Sequence, residues 1–140
     1  NDLINLLSME HSKKDNININ MVIKYHGIIK RENIDKIYIK ANCLMLQLSK
    51  IKSIEYVIPS KIFEYTLTNL PILFGASGFT HNFISQINGT IPFDQICPKS
   101  FYNAILKSIK LKVDSKKRDS FTQKFLITKI YREYAKDILS

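Results

Sequence analysis

Between Val57 and Tyr65 the chain reads VIPSKIFEY, and the order of polar groups in this stretch could do chemistry. A proline suits a helix entrance because it lacks an N–H, and serine is a favoured cap there. Lys61 adds a full cation at the end of a helix where unpaired N–H groups already attract anions. Glu64 comes four residues after Ser60. On a helix it therefore shares a face with Ser60, about one turn, roughly 5–6 Å, deeper. A carboxylate there would repel a phosphate held at the mouth, yet it can accept two hydrogen bonds from vicinal ribose hydroxyls. The arrangement suits a nucleotide. The same residues also make an ordinary helix start, with Ser60 capping, Lys61 solvated and Glu64 paired with a lysine, and both readings stand on spacing alone.

The elements around this stretch decide whether it borders a crevice. Residues 2–14 read as a helix, 15–20 as a polar loop, and MVIKYHG (21–27) as a short strand ended by Gly27. Arg31–Ala41 is helical, with Ile34, Ile37, Tyr38 and Ala41 on one face. CLMLQL (43–48) is nearly all apolar, as a strand covered on both faces must be. After a loop (49–58), a helix opens at Pro59 or Ser60 and runs to about Thr68. PILFGASG (71–78) is a third strand with a small-residue turn, Phe79–Ile87 a short helix, and Thr90–Pro92 a strand stub. Pro98–Val113 is a helix with Phe101, Ile105 and Ile109 inward. DSKKRDS (114–120) reads as a charged break before a last helix, 121–138, with Phe121, Phe125, Ile130, Tyr134 and Ile138 along one side.

Strands alternating with helices predict an α/β domain with a parallel sheet and right-handed crossovers. Ligands of such sheets sit outside the carboxyl ends of the strands. The segments leaving the three strands, YHGII, SKIKSIEYVIPSK and FGASG, should therefore border one crevice.

With 140 residues, 45% apolar and only four glycines and four prolines, the chain suits one packed domain or part of a larger one. No apolar run approaches the roughly 18–20 residues of a membrane span, and the N-terminus does not read as a signal peptide. A first residue of Asn1 in place of methionine predicts a piece of a longer chain. Cys43 and Cys97 lie far apart, outside any metal-type spacing, which predicts two buried, reduced thiols in a cytoplasmic protein. A net charge of +9 points to an anionic partner.

The run HGIIKRENIDKIYIKANCLMLQLSKIKSIEYVIPSKIFEYTLTNLPILFGASG resembles the C-terminal half of family-4, GT-B-type glycosyltransferases. Over roughly residues 2–113 it is similar to their nucleotide-sugar-binding, Rossmann-like domain with the first strands missing, and 121–138 looks like the helix that closes them. Its nearest likeness is to enzymes of bacterial surface polysaccharide, O-antigen and capsule, synthesis. The resemblance implies a donor UDP- or GDP-sugar, transfer with retention to a lipid-linked or saccharide acceptor, and an acceptor-binding N-terminal domain outside this chain. It assigns the donor ribose to Glu64, the diphosphate to Ser60 and Lys61, and the base to the backbone after Gly27 at Ile28 and Ile29. The turn from Gly75 to Gly78 falls near the sugar–phosphate end. The first glutamate of the family's E-x7-E motif would fall at position 56, where this chain has Tyr56. Glu55 lies one residue away, out of the motif's register, so the resemblance leaves the residue that attends the donor sugar unassigned, with Glu55 a candidate. The fragment alone should not transfer sugar.

Other residues point less far. His26 ends a strand and His81 follows the glycine turn, but no two histidines have metal-ligand spacing, so no bound metal is expected. Lys107, Lys110, Lys112, Lys116, Lys117 and Arg118 make a basic edge, either solvated or drawn to an anionic membrane surface, which would put the protein at the inner membrane face. Aromatics fall on apolar faces without interleaving with this run, which argues against nucleic acid. A strand edge left open by the missing strand could be covered by a second copy in a homodimer. Two rival readings remain: a nucleotide-sugar 2-epimerase, which needs no acceptor, and a non-catalytic interaction module in which PSKIFEY only caps a helix.

Overall fold

PILFG contains no polar side chain, and the strand it forms, β2 (Ile72–Gly75), is the one among the described residues that is buried on both faces. The structure, a computed structural model, describes residues 26–125. The chain forms two compact units, residues 1–35 and 36–140. The predicted helix 2–14 and all but the end of the predicted strand 21–27 lie outside the described residues. In the described part of the first unit, Gly27 takes a left-handed φ of 64° and Ile28 is exposed. A 3-10 turn, Arg31–Asn33, leads into α1 (Ile34–Tyr38).

In the second unit, β1 (Leu44–Gln47), β2 and β3 (Thr90–Pro92) form a parallel sheet in the order β1-β2-β3. Leu44 pairs with Ile72, Gln47 with Gly75 and Phe74 with Pro92. This is the expected α/β architecture of a parallel sheet flanked by helices. Helix α2 (Lys61–Thr66) connects β1 to β2, and α3 (Gly78–Ser85) connects β2 to β3. Helices α4 (Pro98–Lys110) and α5 (Ser115–Gln123) follow.

Alternation along β2 divides the core. Ile72 and Phe74 join Leu44, Ile62, Tyr65, Phe83, Ile84 and Phe121 in one cluster, which collects α2, α3 and α5 on one face of the sheet. Leu73 points the other way, to Ile91, Phe93 and Ala104 of α4. The rings of Phe63, Phe83, Phe121 and Phe125 lock the first layer, with centroids 5.0–6.2 Å apart.

Four expectations need correction. The two thiols are not buried: Cys43 is half-buried and Cys97 exposed. β1 is covered on one face only: Leu44 is buried while Met45 and Gln47 are exposed. On α4 it is Ala104 and Ser108 that are buried, with Phe101 and Ile105 packed partly against the core, while Ile109 faces solvent. The charged run is no break, because Asp114 accepts a hydrogen bond from the Lys117 N–H at 3.2 Å and caps α5. Arg118, Phe121 and Thr122, spaced i, i+3 and i+4, form the buried face of that helix. Residues 126–138 of the predicted last helix lie outside the described residues.

Candidate functional site

The carboxyl ends of β1 and β3 are tied together by two glutamines. Gln95, just past β3, donates from Nε2 to the Leu48 carbonyl at 2.7 Å, while Gln47 Nε2 donates to the Gln95 carbonyl at 3.2 Å. These bonds cross over Gly75 at the end of β2. A Cβ on Gly75 would sit 2.8 Å from the Phe93 ring and 3.0 Å from the Gln95 side chain. Close packing therefore requires the glycine, whatever it faces.

The loop before VIPSKIFEY is fastened to the same edge. Thr80 is fully buried on α3, and its hydroxyl lies 2.9 Å from the carbonyls of both Glu55 and Val57. Its N–H also donates to the Glu55 carbonyl at 2.9 Å. The Glu55 carboxylate accepts a hydrogen bond from the Ser77 hydroxyl at 3.3 Å. Gly78 takes φ +60°, and a Cβ there would stand 2.8 Å from Cβ of Glu55. The glycine turn and the acidic loop fit each other, so the sugar-side candidate Glu55 is held at the entrance of α3. Tyr56, in the position of the family's first glutamate, is exposed.

A cleft of about 280 Å³ opens beside this turn. Its polar lining is Lys50, Ser77, His81, Asp94, Gln95 and Ser100, with Phe93 beneath. The His81 imidazole leans on Phe74, with ring centroids 5.3 Å apart. Asp94 is committed locally: one of its carboxylate oxygens accepts from the Ile96 N–H at 3.1 Å, and its own N–H donates to the Ser100 hydroxyl at 2.9 Å. What faces a ligand there is the Lys50 ammonium, the His81 imidazole, the second Asp94 carboxylate oxygen and the unused hydrogen-bonding capacity of the two serines, a mixed polar set that suits a hydroxyl-rich molecule.

Ser60, Lys61 and Glu64 are exposed and do not line that cleft. Ser60 occupies the cap position of α2 with helical backbone angles and no side-chain cap bond, so the predicted serine cap is not made. Its carbonyl and that of Pro59 instead accept from Phe63 and Ile62 in a tight first turn. Helix α2 turns Ile62, Tyr65 and Thr66 inward, which leaves Lys61 and Glu64 on the outer side. Glu64 makes no ion pair among the described residues. Next to it, the Tyr65 hydroxyl donates to the Met45 carbonyl at 3.1 Å. Burial, and to a lesser degree Tyr38 and Glu64, push its pKa up from 10.0 to about 12.

At the opposite, amino edge lies a residue that the sequence grouped with the surface lysines. Arg118, counted above in a basic edge either solvated or drawn to a membrane surface, is 1% exposed and belongs to neither. Its guanidinium donates to the carbonyls of Asn88 at 2.8 and 2.6 Å, Thr68 at 2.8 Å and Leu70 at 2.7 Å. Burial lowers its pKa, with Asp119 opposing. Gly89 takes φ +81°, and a Cβ there would collide with the guanidinium. The signal available in sequence was the helical spacing of Arg118 with Phe121, Thr122 and Phe125.

No protein-family model, curated protein or solved structure matches the chain. Among the described residues, no helix is long and apolar enough to cross a membrane.

Proposed function

We propose that this chain is the nucleotide-sugar-binding part of a glycosyltransferase, of the kind that builds bacterial surface polysaccharide on a lipid-linked or saccharide acceptor. One observation carries the reading. The Glu55 loop, seated on the Ser77–Gly78 turn, delivers the PSKIFEY helix to the carboxyl edge of a parallel sheet, where ligands of such sheets bind. Ser60 keeps its hydroxyl out of any cap bond, so it is free to donate to a phosphate oxygen. Helix α2 has only six residues, so Lys61 supplies most of the positive charge for a departing diphosphate. Glu64 would hold the ribose, and Glu55 would attend the transferred sugar.

Calorimetric titration with UDP and with GDP tests this. Glu64→Ala should weaken binding by about 1–3 kcal/mol, the value of hydrogen bonds to a charged group, or roughly 5- to 150-fold. Affinity unchanged in that variant would remove the ribose role. A chain that ignores both nucleotides, even when its sequence is extended to complete the sheet, would leave PSKIFEY as a plain helix start.

A further inference from the structure

Helix α4 carries an apolar stripe that the core of the described residues does not use. Ala104 and Ser108 face the sheet, yet Tyr102, Leu106 and Ile109 at i, i+4 and i+7 are 59%, 45% and 74% exposed. Single exposed apolar residues are ordinary, whereas three aligned along one helix mark a contact surface. Lys99, Lys107 and Lys110 are exposed one step further round the helix, and Lys112 follows its end. No acidic residue occurs between Cys97 and Val113. An apolar stripe edged by cations, with no acid on the helix, is the pattern of a helix that lies in a lipid–water interface. There the aliphatic side chains enter the acyl boundary, and the lysines extend their stems to meet anionic headgroups.

We infer that α4 docks this protein onto an anionic lipid bilayer through Tyr102, Leu106 and Ile109, with Lys99, Lys107 and Lys110 holding the headgroups. The charge selects the occupant, because a protein partner would have to be both acidic and apolar along the same narrow line. This docking is independent of the nucleotide reading, since it uses none of the same residues.

Flotation of the full chain with phosphatidylglycerol-containing vesicles and with pure phosphatidylcholine vesicles tests it. Binding should be confined to the anionic vesicles and fall as salt shortens the Debye length. Each lysine should contribute about fivefold, so Lys107→Glu with Lys110→Glu should reduce partitioning by at least about 25-fold. Leu106→Ser with Ile109→Ser should also weaken binding to the anionic vesicles at low salt, since the lysines and the apolar stripe act together. All four positions are exposed, so matching urea midpoints will show that the variants fold. Equal binding to neutral vesicles, no binding to anionic vesicles at low salt, or binding indifferent to both double variants would overturn the inference. So would self-association through the stripe in a chain that ignores lipid.

Discussion

Replacing Arg118 by methionine should cost this fold more than any other single change to a charged side chain among the described residues. The guanidinium satisfies three carbonyl oxygens with four hydrogen bonds of 2.6–2.8 Å, and it is 1% exposed. Methionine can fill much of the space along the stem, but it leaves the carbonyls of Thr68, Leu70 and Asn88 without their donor. A buried acceptor left unpaired costs about 1–3 kcal/mol, against which stands the desolvation of the cation that the variant no longer bears. Allowing one carbonyl to be rehydrated, the net loss is about 3–4 kcal/mol out of a typical total of about 5–15. With a urea slope of about 1–3 kcal/mol per molar, the equilibrium midpoint should fall by about 1–4 M at unchanged slope. Arg118→Lys keeps the charge but not the planar fork, and should recover less than half of the loss. Gly89 supplies an internal check, because alanine there would collide with the guanidinium and approach Val113 Cγ2 to 2.8 Å. Once Arg118 is methionine, that first collision disappears, so the double variant should be more stable than the sum of the two losses predicts. A midpoint shift below about 0.5 M, or strict additivity in the cycle, would refute the account.

Three further outcomes follow from the geometry. Gly78→Ala should lose about 2–4 kcal/mol, part from left-handed backbone and part from the 2.8 Å approach to Glu55; a loss under about 1 kcal/mol in urea unfolding would mean the turn yields easily. Thr80→Val should cost about 1–3 kcal/mol and speed amide exchange in residues 54–57, whose carbonyls its hydroxyl faces; unchanged exchange there would show the loop is held by other contacts. Tyr65 has its pKa raised to about 12, so its neutral form is the one that the fold favours. The associated stability is fully present below the unfolded value of about 10 and should be lost as pH climbs towards 12, by up to about 2 kcal/mol. Tyr65→Phe should lack that component, and urea midpoints that fall in parallel for both proteins between pH 9 and 12 would contradict it.

The strands and the helices between them were legible because each carries its own local signal. PILFG is apolar without interruption and bounded by Pro71 and a glycine turn, and the strand over Ile72–Gly75 lies inside the predicted limits. The stub Thr90–Pro92 was placed to the residue. What stayed hidden depends on partners distant in sequence. Met45 looks as apolar as Leu44, and nothing local says that only one face of β1 is covered. Ser60 has the composition of a cap, but the tight turn from Pro59 pairs the first amides with backbone carbonyls and leaves the hydroxyl unused. Lysine and arginine in SKKRDS read alike as solvated charge. Only the carbonyls of Thr68, Leu70 and Asn88, brought together by the amino ends of the strands, distinguish Arg118 from Lys116 and Lys117. The edge-side role of Thr80 was hidden for the same reason, since its partners lie 23–26 residues earlier.

The two ends of the sheet are built differently, and that difference bears on where function can reside. At the amino end a buried cation with no ion pair among the described residues is spent on main-chain carbonyls, an arrangement that leaves little room for movement. At the carboxyl end the loops are tethered mostly by neutral amides and hydroxyls, from Gln95, Gln47 and Thr80, with the Glu55 carboxylate accepting from Ser77. Such bonds contribute about 0.5–1.5 kcal/mol each, enough to hold a loop in place and little enough to let it adjust. Charged side chains there, Lys61 and Glu64 above all, are left exposed and uncommitted to the core. A fold that needed those charges for stability would have buried or paired them, as it did Arg118. Stability and recognition should therefore separate along the strand axis. Arg118→Met should move the urea midpoint while leaving nucleotide affinity intact below the transition, and Glu64→Ala should do the reverse. Loss of both properties in either variant would mean that the two ends are coupled through β2, the one strand among the described residues that is buried on both faces.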